Sequence, residues 1–137
     1  MSNELLQKAG VKFLKLSDFD DRIIKHRYPI SIVLLYSNTC PHCVRAKKDF
    51  IRLKSDDDLK KLAIDCTDDN PLVNRVPYLF QFREEEFTVP QMYLVKYGKI
   101  VKKIKDLSKY GQLDGKKDHE NEIHDRYDSK NKGCIVS

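Results

Sequence analysis

Residues 30–50 read ISIVLLYSNTCPHCVRAKKDF, and their reading decides the fold. Ile30–Tyr36 is an uninterrupted aliphatic and β-branched run, the signature of a central strand covered on both faces. From Pro41 to about Leu53 the period becomes helical, with Val44, Phe50, Ile51 and Leu53 as the apolar set. Cys40-Pro41-His42-Cys43 sits where the strand hands over to the helix. Two cysteines three positions apart at a helix start lie within disulfide reach of one another. The sequence puts Cys40 at the N-cap, exposed, and Cys43 one turn inward. Pro41, at the first helical position, lacks only an N–H that the helix leaves unpaired anyway. The partial positive charge and free donors of a helix N-terminus favour a thiolate on Cys40. A protonated or donating His42 adds to this. The chemistry that follows is attack of Cys40 on a disulfide, a mixed disulfide, and its resolution by Cys43.

Outward from this segment, strands and helices alternate. Residues 11–16 (VKFLKL) alternate apolar and basic, as a half-buried or edge strand would. Ser17 and Asp20 resemble a capping box for a helix through Arg27, with Phe19, Ile23 and Ile24 on one face and Pro29 beyond its end. Residues 61–66 (KLAIDC) form a second buried strand closed by the turn-forming TDDNP, and Cys66 reads as a small buried hydrophobe. Residues 71–86 are expected to be partly helical, broken or kinked at Pro77. Residues 90–105 read as two strands joined by a tight turn at Tyr97-Gly98-Lys99. This order predicts a mixed α/β sheet with helices on both faces.

At 137 residues the chain is one domain with a tail, divided at 1–113 and 114–137. Its 40% hydrophobic and 34% charged residues are a globular balance. The net charge of +5 is spread among acids with no aromatic-basic stripe, so no nucleic-acid partner is expected. No run of eighteen apolar residues occurs, and the start MSNELLQKAG has no basic-then-apolar signal pattern, so a cytoplasmic location is expected. The four cysteines are unequally spaced, unlike a secreted disulfide framework. A zinc site would need a second ligand pair. Cys66 and Cys134 stand alone and His119 and His124 are five apart, so no metal is expected.

The segment VLLYSNTCPHCVRAKKDF (33–50) resembles the active-site segment of glutaredoxins, within the thioredoxin superfamily. TVPQMYL (88–94) resembles the Thr-Val-Pro-Gln segment of that family, whose proline is cis, and DLSKYGQLD (106–114) echoes its last helix. The resemblance spans roughly residues 18–114. It implies a thioredoxin fold and a dithiol thiol–disulfide oxidoreductase acting through Cys40 and Cys43, with Pro41 and His42 in the motif. It also implies substrate binding by Thr88, Val89, Pro90 and Asp106. The Val89 backbone beside Cys40 would then pair like a strand with an incoming substrate. No bound cofactor is implied. Glutathione is the reductant or substrate, and disulfide-bearing proteins or glutathione mixed disulfides are the partners. Asn38 stands where the family usually carries Lys or Arg, and Lys102-Lys103 where it has Gly-Gly, so Lys102, Lys103 or Lys105 would supply charge instead. A thioredoxin-like, glutathione-independent activity is the alternative, although Thr39 replaces the usual tryptophan and Leu34 the buried aspartate. A third reading, a non-catalytic adaptor, leaves the Cys40, Cys43 and Pro90 set unused.

The chain ends KNKGCIVS (130–137) after a strongly polar stretch. Cys134-Ile135-Val136-Ser137 matches the Cys-aliphatic-aliphatic-X prenylation pattern, and serine at X favours farnesyl. The tail is accordingly expected to be solvated and a substrate of farnesyltransferase, losing residues 135–137 and ending in a lipidated, methylated Cys134. One chain, without a second cysteine for palmitate, gives only weak, reversible attachment to the cytosolic face of membranes.

Overall fold

The computed structural model describes residues 3–53, 59–67, 71–81, 87–105 and 134–136. Strand β4 (Ile30–Tyr36) is third in a seven-stranded sheet whose order is β1 (Lys12–Phe13), β5 (Leu59–Asp65), β4, β7 (Gln91–Lys96), β8 (Lys99–Lys103), β3 (Ile23–Ile24) and β2 (Phe19–Asp20). On one side it pairs in parallel with β5 (Leu59–Asp65), Val33 opposite Leu62. On the other it pairs antiparallel with β7 (Gln91–Lys96), Leu34 opposite Met92. Six successive residues of β4, Ser31 to Tyr36, are buried, as a strand covered on both faces must be. Burying side chains of this size stabilises the fold by roughly 1.5–3 kcal/mol each.

Helix α1 (Glu4–Lys8) buries Leu6, and the 12-residue α2 (Pro41–Arg52) buries Cys43, Ala46, Asp49 and Phe50. Val44, one of the expected apolar set of α2, is instead 51% exposed. Once Cys43 points inward, its neighbour lies about 100° round the helix and meets solvent. At the far end of α2, the buried Lys61 donates from Nζ to the carbonyls of Ile51 (3.1 Å) and Leu53 (2.8 Å). A cation there satisfies carbonyls that the helix cannot and opposes the negative end of its dipole.

The N-terminal third differs from the sequence expectation. Only Lys12–Phe13 (β1) forms a strand, parallel to β5, and the expected helix over 17–27 is absent. A 3-10 turn over Leu16–Asp18 is closed by the Asp18 carboxylate, which accepts the Lys15 N–H at 2.8 Å. A hairpin of β2 (Phe19–Asp20) and β3 (Ile23–Ile24) follows, turning through Asp21 at φ 56°. Phe19 and Ile24 are opposite one another and both buried, and the Ile24 N–H donates to the Gly98 carbonyl at 2.8 Å. The edge of the sheet offers the β-branched Ile23 and Ile24 hydrogen-bond partners that an isolated short helix cannot match.

The remaining elements follow the sequence more closely. Helix α3 (Pro71–Leu79) contains Pro77, which does not end it, because a proline in the last turn removes a single intrahelical donor. Strands β7 and β8 (Lys99–Lys103) form the expected hairpin, with Tyr97 and Gly98 both at positive φ, 51° and 84°. A separate two-stranded sheet joins β6 (Thr88–Val89) to β9 (Cys134–Ile135).

Candidate active site

Cys40 is the N-cap of α2 in extended conformation, with Pro41 at the first helical position, as the sequence indicated. The Cys43 N–H donates to the Cys40 carbonyl at 3.0 Å, which starts the helix. His42 is exposed, and Cys43 is fully buried. The Val89–Pro90 peptide is cis, and the Val89 carbonyl oxygen lies 3.8 Å from Cys40 Sγ. The motif at 40–43 and the segment 88–90, far apart in sequence, therefore meet. Asp106, the fourth expected substrate contact, lies outside the described residues.

Two expectations are overturned here, the exposure of Cys40 and the solvation of the chain's end: Cys40 is only 3% exposed and its sulfur is bonded to Cys134, while Cys43 is a free thiol. The C-terminal segment crosses the site as strand β9, antiparallel to β6, with Cys134 opposite Val89 and Ile135 opposite Thr88. The Val136 N–H adds a bond to the Phe87 carbonyl at 2.8 Å, and Cys134 and Val136 are half-buried against the core. The last described residues are therefore docked, not solvated. A sulfur in a disulfide carries no thioether, so this structure and farnesylation of Cys134 exclude one another within one molecule. Cys-Ile-Val is also the composition of a short strand, the signal in the sequence that pointed this way.

Several side chains that sequence analysis passed over hold the site. Gln91 Nε2 donates to the Thr88 carbonyl (2.7 Å), and Tyr93 Oη donates to Gln91 Oε1 (2.8 Å), fixing β6 from behind. The Ser37 N–H donates to Cys43 Sγ at 3.3 Å. That bond and the charge of Lys47 favour the thiolate, but burial outweighs them and pushes the Cys43 thiol up to about 11. Burial, reinforced by Asp65, likewise lifts Cys66 to about 12. Asn38 donates its backbone N–H to Thr67 Oγ1 (2.7 Å), and its Oδ1 accepts from Lys47 Nζ (2.8 Å). Its Nδ2 donates to Asn3 Oδ1 (3.1 Å), which also accepts the Tyr36 hydroxyl. Burial, with Asp65 nearby, holds the Tyr36 phenol far above its usual range. Lys102 and Lys105 are exposed and Lys103 is half-buried. Among the described residues no three His, Cys, Asp or Glu side chains converge as metal ligands.

Neither a protein-family model nor a curated protein sequence matches the chain. Solved structures do. Human ERp44 superposes with a TM-score of 0.53 at 13% identity, over 73% of this chain and 29% of its own. Thioredoxin f2 of Chlamydomonas reinhardtii gives 0.52 at 14% identity, over 69% of this chain and 82% of its own. The fold is thioredoxin-like. The strand-to-helix junction at Cys40 and the segment before Pro90 lie together, and the chain's own end is paired along them. This chain spans less than a third of the ERp44 chain it matches.

Proposed function

We propose that the chain is a dithiol thiol–disulfide oxidoreductase, with Cys40 as the nucleophile and Cys43 as the resolving thiol. One observation carries this reading: Cys40 Sγ is already joined to a cysteine on a strand laid antiparallel along Thr88–Val89. That is the arrangement an enzyme needs to hold a client in a mixed disulfide. Backbone pairing fixes the client strand and places its sulfur over the helix N-terminus, where the departing or attacking Cys40 thiolate is stabilised. Cys43, buried directly behind, then attacks Cys40 Sγ. A Cys40–Cys43 disulfide forms, the client thiolate leaves, and the proton lost by Cys43 ends on the client thiol.

The glutaredoxin-like form of this activity, on glutathione mixed disulfides and with glutathione as reductant, draws support from Lys47. Its ammonium reaches Asn38 Oδ1 at 2.8 Å and so brings positive charge to the place where Asn38 has none of its own. A carboxylate of glutathione is the anion such a charge suits.

The test is turnover of a glutathione mixed disulfide and of a peptide disulfide, each with glutathione plus glutathione reductase or with thioredoxin reductase. Cys40→Ser should abolish turnover of both substrates. Cys43→Ser should retain turnover only of the glutathione mixed disulfide, which a single thiol can exchange. Full turnover by Cys40→Ser would refute the assignment, and turnover with thioredoxin reductase alone would refute the glutathione-linked form.

A further inference from the structure

Cys134 is engaged by more than its disulfide. Its strand pairs with β6 on the edge that a client must use, the Val136 N–H extends the pairing to Phe87, and both side chains lie half-buried against the core. The tail thus occupies the client position in sulfur, main chain and flanking side chain together. Beneath it Cys43 is a buried free thiol, one helical turn from Cys40.

We propose that Cys134 is a third exchange cysteine, and that the C-terminal strand is an internal substrate that competes with external clients for Cys40. This rests on the oxidoreductase reading above. The internal step balances without any other reactant. The Cys43 thiolate attacks Cys40 Sγ, the Cys40–Cys134 bond breaks, the Cys40–Cys43 bond forms, and Cys134 leaves as a thiolate that takes up the proton Cys43 lost. No electron enters or leaves, so the oxidised protein exists as two disulfide isomers. In one the tail is locked over the site. In the other the edge at Thr88–Val89 is open, Cys134 is a free thiol, and the Cys40–Cys43 disulfide can pass to an external dithiol, whose two protons end on Cys40 and Cys43. The tail also identifies the client class. It is an extended segment whose cysteine pairs opposite Val89, with an apolar residue two positions after that cysteine, where Val136 sits.

A strand tethered to its own site competes at an effective concentration of order 1 mM, so a client at about 0.1 mM should be outcompeted roughly tenfold. The experiment uses the full chain. Wild type, Cys43→Ser and Cys134→Ser are oxidised in a glutathione redox buffer, acid-quenched, digested without reduction and mapped by mass spectrometry. Each is also assayed for turnover of a peptide disulfide at 0.1 mM. The expected result is a Cys40–Cys134 link that dominates in Cys43→Ser, both links in wild type, and turnover by Cys134→Ser about tenfold above wild type. Cys43→Ser carrying glutathione on Cys40 with Cys134 free would overturn the proposal, as would measurable but equal turnover by wild type and Cys134→Ser. A farnesyl thioether on every Cys134 of protein purified from eukaryotic cells would do the same, because a thioether sulfur cannot exchange. If the Cys40–Cys134 link forms but Cys134→Ser turns over no external disulfide, the internal exchange stands and the oxidoreductase reading falls.

Discussion

One helical turn separates Cys40, itself 3% exposed, from the fully buried Cys43. Burial holds its thiol near 11, against an ordinary value of 9.0, so at neutral pH the resolving group is almost wholly protonated. Since only the thiolate attacks, the release of Cys134 should quicken as pH rises. The expected slope is about tenfold per pH unit from 7 until the thiolate saturates near 11. Acid-quenched mapping of the two disulfides against time measures this, and a flat profile would mean that proton loss from Cys43 is not limiting. Lys47 acts on the same group, favouring the thiolate by its charge. Lys47→Met should therefore slow the step about 2- to 10-fold at pH 8 and move its pH profile upward, a displacement that mere loosening of the helix would not give. The placement of Cys40 and Cys43 at the helix start and the cis peptide before Pro90 could be read from the sequence because each belongs to a short local pattern. Lys47, Ser37 and Gln91 could not. Their importance comes from where the fold brings one ammonium, one backbone N–H and one amide, and no local pattern marks them.

The elements succeed or fail by how much they depend on neighbours. The strand 30–36, the helix 41–52 and the hairpin at Tyr97-Gly98 follow from their own residues, and the sequence showed all three. The segment 17–27 has helical spacing but forms a hairpin, because its hydrogen-bond partner is the distant edge of β8. That attachment passes through Gly98. A Cβ there would stand 2.3 Å from the Ile24 carbonyl oxygen, at a φ of 84° that side chains avoid. Gly98→Ala should destabilise the protein by about 2–4 kcal/mol, read from its urea midpoint, by prising the β2–β3 hairpin off the sheet. Wild-type stability in this variant would show that the hairpin contributes nothing to the fold. Lys61 has a comparable role at the end of α2. Lys61→Met keeps the apolar stem but leaves the carbonyls of Ile51 and Leu53 without their shared donor. A loss of about 1–3 kcal/mol is expected, with the activity of the folded fraction unchanged. An equally stable Lys61→Met would show that other donors serve these carbonyls.

Across the whole molecule, the Cys40–Cys134 bond closes a ring with a sequence separation of 94, whereas a Cys40–Cys43 bond closes one helical turn. Long rings restrict the unfolded chain most, here by about 4–5 kcal/mol in the chain-entropy treatment. Oxidised Cys43→Ser, held in the long ring, should melt at least about 10 °C above its reduced form by calorimetry. Equal melting temperatures would show that the ring does not constrain the unfolded chain. This closure was beyond sequence reasoning, because the residues of β9 read equally as a lipidation signal and as a strand. Only the unpaired edge of β6 discriminates between the two, and that edge exists only in the folded chain.

Among the described residues, the two-residue strand β6 lies in a sheet of its own with the tail strand β9, apart from the main sheet. Its pairing is made by peptide groups, which every sequence possesses, so beyond the cysteine and the apolar residue at the place of Val136, side chains decide little about which segment can lie along it. If the chain exchanges disulfides as proposed, what a client must have is a cysteine on a stretch of backbone with its own hydrogen bonds unmade. A cysteine in an intact helix or at the centre of a sheet cannot comply. The same residue after local opening can, and its reaction rate scales with the fraction of time it spends open. Selection at this edge is therefore a measure of the client's local fragility, and a protein would become a better substrate by loosening around its disulfide without any change in the residues beside it.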